Sequence, residues 1–264
     1  MTAAAGRFAD LATRLGSGAV LAGVGIAAIW AGGLWFQALA VAAAAIMTWE
    51  LARMLAPGDG AGAYALAALA LAALVLAHLL PGAWGLVPLV LPGFAALALR
   101  RPGALLFAAY GTAVLVAAHG LVVFRDGYGG LWLGWLVAVV VVTDIAGYFA
   151  GRLIGGPKFW PAVSPKKTWS GIVAGWVGGA IVGLAFLGFT TAGRDLPWIS
   201  AALAFASQMG DAAESAIKRH AGVKDASRLI PGHGGLLDRF DALLGGALFM
   251  LIVSFFVVVP VARG

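Results

Sequence analysis

Long apolar runs, broken by only a few charged residues, constrain this chain more than any other feature of its sequence. Several of these runs reach the roughly 20 residues that a membrane-spanning helix needs. Only 11% of the 264 residues are charged, whereas a soluble domain carries about 25%. So few polar side chains cannot cover a globule in water. The sequence therefore predicts an all-α polytopic membrane protein.

The apolar runs predict about nine transmembrane helices. The run from Gly18 to Met54 is too long for one span and fits two, with a turn at Gly32-Gly33. The other predicted spans are residues 61–80, 86–99, 104–124, 131–154, 171–190, 198–217 and 236–261. We expect a cytoplasmic lead-in before Gly18, an N-terminal region of about five helices over 1–130, and a C-terminal region over 131–264 with two polar cytoplasmic loops.

The basic residues favour a cytoplasmic N-terminus and a C-terminus on the outside. With this orientation Arg125, Arg194 and Arg263 lie outside, and the other 14 of the 17 Lys and Arg residues lie inside. Such a bias follows the positive-inside rule. The net charge of +6 is then explained by loops that face anionic lipid, and we expect no nucleic-acid partner. The absence of cysteine excludes disulfides and thiolate sites.

Acidic residues lie in or at the cytoplasmic ends of the predicted spans. An ionisable group in hydrocarbon costs about 2.5–3.5 kcal/mol on insertion scales, so it must be paired, solvated or functional. The segment GDAAESAIK places two of these acids, with Ser215 and Lys218, on one helix face, and the two acids of DRFD are spaced i, i+3. Three helices can thus present oxygen ligands for a hard cation such as Mg²⁺ to one cavity. The five acids are Asp144, Asp211, Glu214, Asp238 and Asp241.

Basic residues and glycines follow these acids along the chain. The segment KRHAGVKDASRLIPGHGG combines four Lys and Arg residues with several glycines, and SPKKT adds Lys166 and Lys167. Lys and Arg bind phosphate, and glycine lets backbone N–H groups approach it closely. His233 fits a general base, a phosphate ligand or a structural hydrogen bond. The chain lacks GxxxxGK[ST], HExxH and GxSxG, so nothing supports P-loop, zincin or hydrolase chemistry.

Residues 215–241, SAIKRHAGVKDASRLIPGHGGLLDRFD, resemble the signature of phosphatidate cytidylyltransferases, also called CDP-diacylglycerol synthases. The blocks DIAGYFAGRLIG (144–155), SPKKT (164–168) and GDAAES (210–215) are also similar to that family. The N-terminal half resembles it only in hydrophobicity and in Trp49-Glu50. Ser170-Gly171 stands where many members have Glu-Gly, so we assign no catalytic acid in that loop. Gly147-Tyr148 stands where many members have Ala-Tyr.

The resemblance implies that CTP and phosphatidate react to give CDP-diacylglycerol and pyrophosphate. It also implies a Mg²⁺ site, with room for a second cation, that faces the cytoplasm from a bacterial inner membrane in a homodimer. The implied metal ligands are Asp211, Glu214, Ser215, Asp238 and Asp241. The implied catalytic residues are Asp144, Lys224, Asp225, Arg228 and His233. The implied substrate-binding residues are Ser164, Lys166, Lys167, Thr168, Lys218, Arg219, Ser227, Gly234, Gly235 and Arg239.

Two other functions fit parts of the pattern. Intramembrane acids also mark the ion pathway of a cation-coupled transporter. Such a transporter needs acids near the midplane and no basic, glycine-rich cytoplasmic loop, whereas these acids cluster beside Lys and Arg. A related cytidylyltransferase or a lipid kinase that acts on another lipid would share the same phosphate chemistry. A test of CTP- and Mg²⁺-dependent pyrophosphate release separates the transporter from the enzymes.

Overall fold

The structure, a computed structural model, describes residues 2–254 and 256, with side chains from residue 16 onward. Helices form most of it, as the apolar runs predict. The α-helices in chain order are α1 (Thr2–Ala31), α2 (Gly33–Leu55), α3 (Gly60–Leu79), α4 (Leu91–Ala98), α5 (Ala104–Leu153), α6 (Trp169–Leu187), α7 (Leu196–His220) and α8 (Leu237–Val253).

Glycines divide the two longest apolar stretches where the sequence predicts a break. Gly32 and Gly33 have φ values of 62° and 47°, and they separate α1 from α2 as expected. Within α5, Gly129 adopts φ 86° and ψ 170°, so this element consists of two helical segments. These segments correspond to the predicted spans 104–124 and 131–154. L side chains rarely adopt such backbone angles, which is why glycine stands at these breaks.

The predicted span 86–99 is not a single helix. Two 3₁₀ turns, Gly82–Leu86 and Pro88–Val90, precede the eight-residue helix α4. Pro88 and Pro92 lack the N–H that a continuous helix needs. Eight residues rise only about 12 Å, far short of a hydrocarbon core of about 30 Å.

Four helices in the described part of the chain are long and apolar enough to cross a membrane, which gives the protein its multi-pass membrane character. They are α2, α3, α5 and α6. Helix α7 is also long, with 25 residues, but it carries the acids and bases of the GDAAESAIK segment. The predicted ninth span, 236–261, extends beyond the described residues; its described part includes α8.

The polar segment between α5 and α6 contains the two strands of the described chain, which the all-α prediction did not include. Strand β1 (Lys158–Trp160) pairs antiparallel with β2 (Ser164–Thr168), with Lys158 opposite Thr168. Thr168 then begins α6, since its hydroxyl accepts a hydrogen bond from the Gly171 N–H at 3.3 Å. The SPKKT motif is therefore the second strand of a hairpin that leads directly into a helix.

The chain forms two compact units. The first consists of the residues up to Leu115 together with Ala221–Phe240, and the second of Val116–His220 together with the chain from Asp241 onward. In the first unit α2 and α3 pack together around buried apolar side chains such as Leu51 and Leu74. The predicted division near residue 130 concerns function rather than packing and stays a prediction.

The second unit is built on a stripe of small residues along α6. A Cβ added to Gly179 would lie 2.8 Å from the Ser200 carbonyl oxygen of α7, and one added to Gly171 would lie 2.6 Å from the Gly147 oxygen of α5. This glycine stripe repeats every four residues, at Gly171, Gly175, Gly179 and Gly183, and it serves packing within this chain. Small residues let helices approach this closely in membranes.

Candidate active site

One face of α7 carries a polar cluster in the second unit. The Ser215 hydroxyl donates a hydrogen bond to Asp211 Oδ1 at 3.2 Å. One turn away, Glu214 is fully buried and pairs with the Lys218 ammonium group. The spacing i, i+3, i+4, i+7 places all four side chains on this face, as the sequence predicts. This ion pair allows the Lys218 side chain to be buried.

The hairpin supplies a base to this cluster. Lys167 Nζ lies 2.5 Å from Asp211 Oδ2 and also donates to the Gln208 carbonyl oxygen at 3.4 Å. The side chains of Lys167 and Asp211 are 23% and 30% exposed, so the pair is only partly open to solvent. Lys166, its neighbour on the strand, is exposed. The strand alternation therefore separates the two predicted phosphate-binding lysines into one ion-paired and one solvent-facing residue.

A close helix crossing brings Asp241 of α8 to α7. A Cβ on Gly210 would lie 2.4 Å from the Asp241 carbonyl oxygen, and one on Gly245 would lie 2.4 Å from the Ala206 oxygen. Backbones can meet this closely only because both positions lack a side chain. Since Gly210 immediately precedes Asp211, the crossing determines the separation of the two carboxylates.

The charges at this crossing are unbalanced in favour of the acids. The buried Asp241 interacts electrostatically with Asp211 and, more weakly, with Asp144 of α5, and both acids repel it. Lys218 attracts it, while Asp144 itself is exposed. Asp241 of α8 thus interacts with one predicted site acid on α7 and with another on α5. That the three acids form one cation site stays a prediction. Like charges held this way repel one another, and a cation bound beside them would relieve that repulsion.

The residues present fit Mg²⁺ in donor chemistry, but not as a complete protein cage. Among the described residues, no group of three or more His, Asp or Glu side chains is arranged to hold a metal ion. Magnesium, however, usually keeps several waters and takes only one or two carboxylates plus substrate phosphates. The mutually repelling pair Asp211 and Asp241 meets this smaller requirement. The five predicted ligands do not form one such group, because Glu214 pairs with Lys218 and Asp238 binds backbone amides of its own loop.

Ser170 occupies the position where the family resemblance led us to expect an acid. Its hydroxyl donates to the Gly155 carbonyl oxygen at 2.5 Å and lies 2.9 Å from the Thr168 hydroxyl. Thr168 is buried and caps α6. These two predicted loop residues therefore join the end of the hairpin to the end of α5. Ser164, at the start of the same strand, lies opposite Trp160.

The first unit contains the glycine-rich loop, which we define as residues 221–236. A tight turn shapes it: the His233 N–H bonds to the Ile230 oxygen at 2.9 Å, and the Ile230 N–H bonds to the Gly234 oxygen at 2.8 Å. Pro231 followed by Gly232 with φ 76° matches the central residues of a type II turn. The PGHGG sequence thus folds into a compact turn rather than an open linker.

Asp238 ties this loop to the first turn of α8. Its Oδ2 accepts hydrogen bonds from the Ala226 N–H at 2.9 Å and from the Gly235 N–H at 2.7 Å. A Cβ on Gly234 would lie 2.8 Å from the same oxygen. Asp238, predicted as a metal ligand, therefore uses this oxygen to organise the loop backbone.

Glu50 of α2 is a second acid that holds the loop, a role that the sequence pattern did not predict. It is fully buried. Its Oε1 accepts from the Ser227 hydroxyl at 2.6 Å and from the Leu236 N–H at 2.9 Å, and its Oε2 accepts from the Leu237 N–H at 2.7 Å. It thus occupies the start of α8, where the first N–H groups have no partner within the helix.

His233 contacts the first helix. Its Nδ1 lies 2.8 Å from the Ser17 hydroxyl, and a Cβ on Gly18 would lie 3.7 Å from its ring. The ring is half-buried. Of the three roles that the sequence left open for His233, the structural hydrogen bond is therefore present. The other predicted polar residues of this segment are exposed, namely Arg219, Lys224, Asp225, Arg228 and Arg239.

Sequence comparison identifies the group of proteins to which this chain belongs. The model of the cytidylyltransferase family matches residues 12–257. The chain is therefore a member of the cytidylyltransferase family, which confirms the family resemblance seen in residues 215–241. The transporter alternative is not favoured.

Several curated bacterial relatives carry the name phosphatidate cytidylyltransferase. The protein of that name from Brucella suis is 45% identical over 127 residues, which is 47% of this chain and 47% of the relative. The one from Staphylococcus saprophyticus is 47% identical over 109 residues, or 40% and 42% of the two chains. The one from Haemophilus influenzae is 39% identical over 141 residues, or 50% and 49%. This chain spans about half the length of the curated relatives it matches.

Proposed function

We propose that this protein transfers the cytidylyl group of CTP to phosphatidate and forms CDP-diacylglycerol and pyrophosphate. The observation that carries this proposal is the Asp211–Lys167–Asp241 arrangement, where two repelling carboxylates and a paired lysine meet at the α7–α8 crossing. Triphosphate chemistry needs both a cation site and fixed positive charge. The relatives named phosphatidate cytidylyltransferase give the substrate class.

In the proposed reaction, an oxygen of the phosphatidate phosphate attacks the α-phosphorus of CTP. A new P–O bond forms, the bond to the β-phosphate oxygen breaks, and pyrophosphate leaves with that electron pair. Because the nucleophile is already an anion, the reaction needs no strong general base. The protein's part is to position the two phosphates and neutralise their charge. The bases assigned to phosphate are Lys166, Lys167, Lys224 and Arg228.

We propose Mg²⁺ as the cofactor, held by Asp211 and Asp241 with the nearby Ser215 hydroxyl as a further oxygen donor. Bound there, the ion would neutralise phosphate charge. Glu214 serves to hold Lys218, and Asp238 serves to hold the glycine-rich loop. The lipid substrate is supported by the family resemblance and by the names of the relatives. The homodimer is proposed from the family resemblance.

We also propose nine spans, an N-terminus in the cytoplasm and a site that faces the cytoplasm of a bacterial inner membrane. The support is the placement of 14 of the 17 basic residues on one side under this orientation. The segment 82–98 would then cross the membrane as a broken helix, made of two 3₁₀ turns and α4. Broken helices occur at membrane depth where protein packs around them.

The test uses purified protein with radiolabelled CTP and phosphatidate, and it measures CDP-diacylglycerol and pyrophosphate. Asp211→Asn and Asp241→Asn should each abolish turnover while the protein remains folded. Asp195→Asn, at the start of α7 and away from the crossing, is the matched control and should keep activity. Chelation should stop the wild type, and added Mg²⁺ should restore it.

Two outcomes would contradict the assignment. If the wild type forms no CDP-diacylglycerol, the proposed reaction is wrong, and a panel of other lipid phosphates and polyprenols identifies the acceptor. If both Asn variants turn over near normally, the cation site is elsewhere. Asp238→Asn adds a distinction: an amide oxygen can still accept the two loop N–H groups, so loss of activity there would point to metal binding by Asp238.

A further inference from the structure

We propose that Glu50 is a positioning residue that holds the glycine-rich loop in its CTP-binding conformation. This inference rests on the proposed function, because it takes the loop to bind CTP phosphate through Lys224 and Arg228. Glu50 belongs to α2 and is far from the loop in sequence: Ser227, which donates a hydrogen bond to it, lies 177 residues further along the chain. Glu50 is not among the residues proposed to bind the substrates or the metal ion.

The contacts of Glu50 require an acceptor at both of its oxygens. Three donors converge on it: the Ser227 hydroxyl, the Leu236 N–H and the Leu237 N–H, all within 2.9 Å. The Ser227 hydroxyl oxygen already accepts from the Leu229 N–H at 3.0 Å, so its proton is directed to the acid. Glutamine has the same shape but presents an NH₂ group to at least one of these donors. Glu50→Gln therefore removes the interaction without removing volume.

Gly235 shows how closely the loop lies against this acid. A Cβ at that position would lie 2.6 Å from Glu50 Oε1 and 2.9 Å from Cδ. Glu50 is fully buried, so its side chain has little room to withdraw. An alanine at Gly235 and a glutamine at Glu50 thus disturb the same contact from its two sides. If the contact matters to CTP binding, the two changes should not have additive effects.

Asp59 provides a comparison acid in the same unit. It accepts from the Gly62 N–H at 2.8 Å at the start of α3 and pairs with Arg101. It therefore also satisfies a helix N-terminus, but its hydrogen bonds and ion pair do not involve the glycine-rich loop. Asp59→Asn should lower the melting temperature without changing how CTP binds. The glycine control is Gly58→Ala, where an added Cβ meets nothing within 4 Å.

The experiment measures the melting temperature, and KM and kcat for CTP, on the full chain in detergent. Glu50→Gln and Gly235→Ala should each raise KM for CTP about tenfold, the loss expected for one hydrogen bond to a charged group. The double variant should raise it by much less than the product of the two effects. Asp59→Asn and Gly58→Ala should keep the wild-type KM. A purely structural role for Glu50 would instead lower the active fraction and hence kcat, with KM unchanged.

The outcomes separate this inference from the proposed function. If the wild type makes no CDP-diacylglycerol, the proposed function fails first. If it does, and Glu50→Gln keeps the wild-type KM for CTP, Glu50 does not position the loop. If Glu50→Gln does not fold, Glu50→Asp, which keeps the carboxylate but shortens its reach, decides the question together with Gly235→Ala. An unchanged KM in both would overturn the proposal.

Discussion

A methyl group at Gly245 should separate the two carboxylates at the α7–α8 crossing. The added Cβ would lie 2.4 Å from the Ala206 oxygen and 2.9 Å from Gly210 Cα. The first distance is about 1 Å inside the 3.4 Å at which ordinary contact begins, and both obstacles are backbone atoms. The helices must therefore move apart by roughly that distance, which carries Asp241 away from Asp211.

The expected effect is large on turnover and moderate on stability. A misplacement of about 1 Å at a reacting site can cost about a hundredfold in rate. Overpacking costs about 1–3 kcal/mol, offset by the gain of about 1 kcal/mol when alanine replaces glycine in a helix. The variant should thus fold with a slightly lowered melting temperature and lose about 99% of its CDP-diacylglycerol formation.

Gly246 offers a matched control on the next position of α8. A Cβ there would lie 3.1 Å from Leu203 Cδ1, a side-chain end that needs to shift only a few tenths of an ångström. Both variants gain the same helix propensity, so the difference in turnover between them reports the effect of moving the α7–α8 crossing. Turnover of Gly245→Ala within threefold of the Gly246→Ala value would show that the crossing distance does not control the site.

Two further changes test the hairpin and the glycine stripe. Lys167→Met should lower turnover at least tenfold. Its melting temperature should change little, because a partly exposed ion pair contributes about 0–1 kcal/mol to stability. Lys158→Met on the paired strand is the control for both turnover and melting temperature. Gly183→Ala places a Cβ 2.7 Å from Pro197 Cα and should lower the melting temperature in proportion to a loss of about 1–3 kcal/mol without changing KM for CTP. Gly134→Ala, where the Cβ meets nothing within 4 Å, should leave the melting temperature unchanged or raise it, and equal losses in the two glycine variants would contradict the packing assigned to the stripe.

The helices and their breaks were predictable because each depends on local sequence. Apolar length sets the spans, and glycine pairs or single glycines mark the interruptions at Gly32 and Gly129. The failure at 86–99 has a local cause as well: hydropathy alone favoured a span, whereas Pro88 and Pro92 break the hydrogen-bond ladder. The hairpin was missed because strands of three and five residues lie below any reliable periodicity.

The site was predictable in composition but not in pairing. Helical spacing places Asp211 beside Ser215 and Glu214 beside Lys218, and the structure confirms both. Helical spacing could not predict that Lys167 would pair with Asp211 or that Gly210 would pack against Gly245. In each case the two partners belong to different helices or strands. The cost of burying an acid, used to single out five carboxylates, applies equally to Glu50 inside α2. Its signal was therefore present, but its partners lie too far along the chain for spacing to identify them.

Two adjacent glycines of the loop, Gly234 and Gly235, are required for different physical reasons, which the sequence alone could not distinguish. Gly234 has φ 83°, a backbone conformation that disfavours any L side chain. Gly235 has no such backbone constraint, and its requirement comes from the Glu50 carboxylate 2.6 Å from where a Cβ would stand. An alanine at Gly234 strains the loop whatever residue 50 is, whereas an alanine at Gly235 should be tolerated better once residue 50 is shortened. Recovery of CTP binding by Glu50→Asp in the Gly235→Ala background, and not in the Gly234→Ala background, is the expected consequence; equal recovery in both would mean that contact with Glu50 is not what excludes a side chain at Gly235.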